Sequence, residues 1–126
     1  MRSFIAAVVI GIIIIYTSSV FSDKVENITA SLSDKNNALY TQLENKNKED
    51  ALNSLEESEK EFHKNKVLFE ATSDHEELLR IEVQYSAIRE FLKEEQFGDA
   101  LASCAEIELL LKHLPGNFEV KAENIL

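Results

Sequence analysis

The chain has 126 residues, with 23 acidic against 13 basic side chains, one Cys, one Pro, three Gly and no Trp. This length holds one compact domain, a lone thiol excludes a disulfide scaffold, and so few glycines exclude a glycine-rich nucleotide-binding lobe. A formal net charge of -10 repels phosphate backbones, so no nucleic-acid partner is expected.

The first element is apolar. Residues 4–21 (FIAAVVIGIIIIYTSSVF) carry no charge and as a helix extend roughly 27 Å, close to the thickness of a hydrocarbon core. Arg2 precedes them, and Asp23, Lys24 and Glu26 follow at once. Two readings are open: a retained signal-anchor over residues 1–22, or a secretory signal peptide cleaved after Ser19 or Ser22. The apolar length favours the anchor, with membrane lipid around residues 4–21. Under either reading, Arg2 keeps the amino terminus cytoplasmic. The expected location is the cell membrane, single-pass, with the C-terminal domain extracytoplasmic.

Beyond the apolar run the sequence predicts an all-α fold. It consists of an N-terminal transmembrane helix followed by an antiparallel bundle of about four helices, two helical hairpins over residues 23–116, and a tail over 117–126. No Pro and only Gly98 interrupt residues 23–114. The first bundle helix spans about 23–43, with Val25, Ile28, Leu32, Leu39 and Leu43 on one stripe. No breaker separates it from the membrane helix, so the two can be continuous. Asn45 to Lys48 form a polar turn. The second helix spans about 49–70, buried through Leu52, Leu55, Phe62 and Phe69, and Ala71-Thr72-Ser73 breaks it. Ser73 with Glu76 reads as a capping box opening the third helix, whose stripe is Leu78, Ile81, Tyr85, Ile88 and Leu92. Phe97-Gly98 is read as the next turn, with Asp99 capping a fourth helix. That helix is lined by Leu101, Cys104, Ile107, Leu111 and Leu114, and Leu114-Pro115-Gly116 stops it.

A weak internal repeat accompanies this map. Residues 50–59 (DALNSLEESE) align with 99–108 (DALASCAEIE) at an offset of 49, with six of ten positions identical. Duplication of one hairpin and the common composition of helices both explain it.

Few residues suggest chemistry. No metalloprotease, Walker, calcium-loop or nucleophile-elbow pattern occurs, so neither a cofactor nor an enzymatic activity is expected. Cys104 lies on the apolar stripe and reads as a small buried hydrophobe. His63, His75 and His113 fall towards one end of the antiparallel bundle, near Glu76, Glu77 and Glu82. That makes a metal site a minor alternative. The paired carboxylates Glu56-Glu57, Glu76-Glu77 and Glu94-Glu95 read as solvated faces. In the tail, Phe118, Val120, Asn124, Ile125 and Leu126 are interaction candidates. They either fold back onto the bundle or dock on a partner.

Several short motifs in order carry a resemblance. They are the apolar start, an aromatic at Phe62, Asp74-His75-x-Glu77, Glu108-Leu-Leu-Leu-Lys-His113-Leu-Pro115, and Glu123-Asn124-Ile125-Leu126. The whole chain resembles a family of small bacterial single-pass membrane proteins catalogued as domain of unknown function 4363. The resemblance implies a membrane location and an outward-facing domain. It also implies that His75, His113 and Asn124 belong to a shared structural pattern, and it implies no catalytic role. The expected function is therefore a membrane-anchored extracytoplasmic interaction module, partnering another membrane protein or a second copy. The alternative is an extracytoplasmic sensor or ligand-binding bundle.

Overall fold

The computed structural model describes residues 2–125, and describes the side chains of residues 2–17, 19, 20 and 22–114. Five helices follow in order: α1 (Arg2–Glu44), α2 (Lys48–Lys64), α3 (Lys66–Thr72), α4 (His75–Lys93) and α5 (Phe97–Ile125). As expected, the fold is all-α, with a long apolar N-terminal helix leading into a bundle.

The apolar segment and the first bundle helix are one element. α1 has 43 residues and is roughly 64 Å long at the standard rise. Nothing after Gly11 interrupts its ladder. Its hydroxyls are absorbed locally, because Thr29 Oγ1 donates to the Val25 carbonyl at 2.7 Å and Thr41 Oγ1 to that of Asn37 at 3.1 Å. The bundle begins where Val25 becomes buried.

α1 packs against α2 and α5, α4 packs against α5 and α2, and short α3 bridges α2 and α4. The four long helices thus close into an up-down-up-down ring. Its axis is filled by Leu32, Leu39, Leu55, Ile81, Ile88 and Ile107, each at 0% exposure. Each such burial contributes about 1.5–3 kcal/mol.

The two hairpin turns are the same device. Asn47 N–H donates to the Gln42 carbonyl at 3.0 Å and Lys46 N–H to that of Leu43 at 3.1 Å. Gln96 N–H donates to Phe91 at 2.8 Å and Glu95 N–H to Leu92 at 3.1 Å. Both are Schellman closures, with Lys46 (φ 56°) and Glu95 (φ 55°) in the left-handed position that glycine usually takes. The spacing between the turns is again 49 residues. Buried positions follow the same offset: Leu32 with Ile81, Leu39 with Ile88, Leu43 with Leu92, Ala51 with Ala100, Leu55 with Cys104, and Phe62 with Leu111. Since seven heptads make about 49 residues, core periodicity alone would align two helices. The Schellman closure is itself common at helix ends, so duplication of one hairpin and the shared rules of helical hairpins both account for the agreement.

Four sequence expectations change. The helix expected over 49–70 is split at Asn65, whose backbone N–H and side-chain amide both reach the Glu61 carbonyl, at 3.3 and 2.9 Å. A side chain competing for the helical ladder interrupts it there. This swings Phe69 onto Phe62 in a stacked pair with centroids 5.5 Å apart. Secondly, the capping box does not form: Ser73 is extended and ends α3, and Asp74 caps α4 by accepting from Glu76 N–H at 3.2 Å. Thirdly, Phe97-Gly98 is not a turn, because the left-handed residue is Glu95 and both Gly98 and Asp99 lie in the first turn of α5. Finally, α5 does not stop at Leu114-Pro115-Gly116 but runs to Ile125. Proline's fixed φ is itself helical, so a helix can pass it, at a cost of about 3 kcal/mol from one lost ladder bond and the clash of the ring with the preceding turn.

Candidate functional site

The feature that organises the molecule is the exposed half of α1. An 18-residue apolar window near its N-terminus has none of its length buried against the rest of the protein. Phe4, Ile10, Ile12 and Ile15 are 74%, 57%, 61% and 66% exposed. Exposing so much contiguous apolar surface to water is strongly unfavourable, whereas in hydrocarbon it costs nothing and the helix satisfies its own backbone. By length and composition this helix can cross a membrane. Its charged continuation from Asp23 onwards packs directly into the bundle.

Where α1 meets α5, a polar cluster interrupts the apolar core. Asn36, 2% exposed, occupies the stripe position between Leu32 and Leu39. Its Nδ2 donates to the Cys104 carbonyl at 3.0 Å and to Glu108 Oε2 at 3.4 Å. Cys104 Sγ donates back to Asn36 Oδ1 at 3.1 Å, and Ser33 Oγ donates to Glu108 Oε1 at 2.6 Å. Burial, and then the Glu108 carboxylate, push the Cys104 thiol up to about 12. The thiol therefore stays protonated and unreactive at neutral pH, in keeping with its reading as a small buried residue.

The corresponding place between α2 and α4 is apolar and aromatic. Tyr85, offset by 49 from Asn36, packs edge-on against Phe62 with centroids 5.9 Å apart. Its hydroxyl is buried without a partner among the described residues, and burial drives its pKa well above the ordinary tyrosine value. Ion pairs close the outer seams: Lys35 with Glu61 at 2.6 Å, Arg89 with Glu59 at 2.6 Å, and Lys66 with Glu82 at 3.0 Å.

A third feature is a surface groove between α1 and α2. It is lined by Lys24, Ile28 and Lys35 from one helix and by Glu57, Lys60, Glu61, Lys64 and Asn65 from α2 and its end. Positions 24, 28 and 35 share one stripe of α1, and 57, 60, 61 and 64 share one stripe of α2.

The candidate residues fall as follows. His63, His75 and His113 are all exposed, and among the described residues no group of three or more His, Cys, Asp or Glu is placed to hold a metal ion. The side chains of Phe118, Val120, Asn124 and Ile125, and all of Leu126, lie outside the described residues. Sequence reasoning missed Asn36, Ser33 and Glu108. The available signal was the gap in the stripe: Leu32 and Leu39 are seven residues apart, and the position between them is polar. Ser58 fills the same kind of gap between Leu55 and Phe62 and is 1% exposed.

The family model described as a domain of unknown function (DUF4363) matches residues 20–125, and the chain belongs to that family. No curated protein and no solved structure matches the chain.

Proposed function

We propose that the protein is a single-pass, membrane-anchored helical module that presents its bundle on the outer side of the cytoplasmic membrane and works by binding rather than catalysis. The observation that carries this reading is the division of α1. Its first half is apolar and unburied, and its second half is a structural wall of the bundle without a joint between them. Arg2 before the span orients the amino terminus inward.

Binding rather than catalysis is supported by the chemistry of the described side chains. The thiol is held protonated, and the three histidines are exposed. A ligand-sensing bundle would need space between its helices, whereas the axial positions here are filled by Leu and Ile. The partner is another membrane protein or a second copy. Apolar side chains stand free for it on the second hairpin: Leu79 (50% exposed) and Val83 (54%) one turn apart on α4, and Leu109 (68%) on α5.

The test is site-specific photocrosslinking in cells from position 79, 83 or 109 of the full chain. The proposal expects one discrete adduct, either a dimer or a single membrane protein, from at least one position. Crosslinking to lipid and solvent alone from all three would refute it.

A further inference from the structure

Two buried hydroxyls lie where α2 meets α4, and the bundle supplies neither with a partner. Ser58 and Tyr85 are each 1% exposed, and neither Ser58 Oγ nor the Tyr85 phenol oxygen makes a hydrogen bond among the described residues. An unpaired hydroxyl in a dry core is destabilising, and protein interiors rarely keep one. Two on the same seam point to a shared partner.

Contacts on either side set the two residues in register. Phe62, one turn along α2 from Ser58, packs edge-on against Tyr85 with ring centroids 5.9 Å apart. Glu59, next to Ser58, pairs with Arg89, one turn along α4 from Tyr85, at 2.6 Å. Ser58 therefore lies beyond Phe62 in the direction in which Arg89 lies beyond Tyr85. That offset is about one helical turn, roughly 5 Å, and a tyrosine side chain spans it. After burial, the groups that raise the pKa of the phenol are Cys104, Glu59 and Glu61. The last two occupy the turn of α2 between Ser58 and Phe62.

The residue types leave space for something small. At the 49-residue offset Ser58 corresponds to Ile107, a larger side chain, and α2 and α4 are the least closely packed neighbours among the long helices. On the opposite seam, the Asn36 amide reaches the Cys104 carbonyl directly at 3.0 Å. Tyr85 stands at the offset position of Asn36, but a serine hydroxyl is too short to meet it.

We propose that an internal water molecule bridges Ser58 Oγ and the Tyr85 hydroxyl and ties the first hairpin to the second across the seam between α2 and α4. The phenol donates to the water, and the water donates to Ser58 Oγ, so both buried oxygens are satisfied. Each of the two seams that join the hairpins then carries one polar tie: Asn36 directly on one side, the water on the other.

The test turns on a sign. If the phenol is dry, Tyr85→Phe removes a buried unpaired group and raises the urea midpoint of the full chain in detergent. If it is bridged, the same substitution breaks a satisfied pair and lowers it. The proposal expects Tyr85→Phe and Ser58→Ala each to lower the midpoint by about 0.5 M. The double variant should lose less than the sum, because either substitution already releases the water. Tyr40→Phe, at a phenol that is 38% exposed, leaves the midpoint unchanged. A midpoint of Tyr85→Phe equal to or above that of the wild type would overturn the proposal, and so would additive losses in the double variant. Raman spectroscopy reads the bond without unfolding the protein. With Tyr16→Phe and Tyr40→Phe in place, Tyr85 is the remaining tyrosine. Its Fermi doublet should report a hydrogen-bonded phenol that becomes unbonded when Ser58→Ala is added. An unbonded phenol before that addition would equally overturn the bridge.

Discussion

Asn36 separates two roles that a buried polar residue can have, and a pair of substitutions tells them apart. Asn36→Ala removes the amide that bonds the Cys104 carbonyl and thiol, at about 1 kcal/mol net per hydrogen bond, and leaves a void of a few atoms that adds about 1 kcal/mol. The sum is a loss of about 2–3 kcal/mol, or roughly 10–20 °C in Tm for a bundle of this size. Asn36→Leu removes the same bonds but fills the space. No group is stranded: the Cys104 carbonyl stays in the α5 ladder, Glu108 keeps Ser33 at 2.6 Å, and the thiol keeps the backbone oxygen of residue 36 at 3.5 Å. Replacing a polar pair by apolar volume is then near neutral, within about 1 kcal/mol. Tyr85, large and mostly apolar, already occupies the equivalent place in the second hairpin. The assay is thermal and urea unfolding of the full chain in one detergent, followed by far-UV circular dichroism. If Asn36→Leu destabilises as much as Asn36→Ala, the seam depends on its hydrogen bonds and the packing account fails.

Cys104 should resist maleimide at pH 8 in the folded protein and react fully in urea; rapid labelling of the native state would contradict its burial. Its pKa also gives stability a pH dependence. The folded thiol holds its proton up to about 12, whereas an unfolded one releases it near 9.0. Between those values the native state binds more protons, so stability falls as pH rises, by at most about 1.4 kcal/mol per pH unit from this group. The phenol of Tyr85, raised by burial from 10.0, extends the loss at higher pH. Urea midpoints of the wild type should decline from about pH 9, and those of Cys104→Ala only from about pH 10; coincident pH profiles would refute the assignment. At the hairpin closures, Lys46→Gly and Glu95→Gly each relieve a left-handed non-glycine residue and should raise stability by up to about 1 kcal/mol. Destabilisation by both would show that the closures do not bear that strain.

Much of this fold was legible because one period governs it. The stripes Leu32, Leu39 and Leu43, and Leu78, Ile81, Tyr85, Ile88 and Leu92, are buried as their spacing requires. Residues that break the local rules were harder to read. Gly98 drew attention as the one glycine between residues 23 and 114, but the chain reverses at Glu95, whose side chain carries no turn signal. The 49-residue offset would have corrected this, since it maps Asn45-Lys46-Asn47 onto Glu94-Glu95-Gln96. Asn65 ends α2 through bonds of its own side chain, an outcome that the helix-forming neighbours Lys64 and Lys66 do not announce. Ser73 and Asp74 are adjacent, and both are good capping residues; which one caps α4 depends on where α3 ends. The site was less legible still, because the polar cluster joins Asn36 to Cys104 and Glu108, which meet only once α1 and α5 pack together.

The central claim concerns a single helix that begins on one side of a membrane and ends in a bundle on the other. In intact cells expressing the full chain with Cys104→Ala, a membrane-impermeant maleimide tests it directly through single-cysteine variants Ser3→Cys, Ile12→Cys and Lys46→Cys. Lys46→Cys should label from outside. Ser3→Cys should label only after permeabilisation, and Ile12→Cys should be protected in both conditions. Labelling of Lys46→Cys only after the cells are opened, or free labelling of Ile12→Cys in intact cells, would contradict the account.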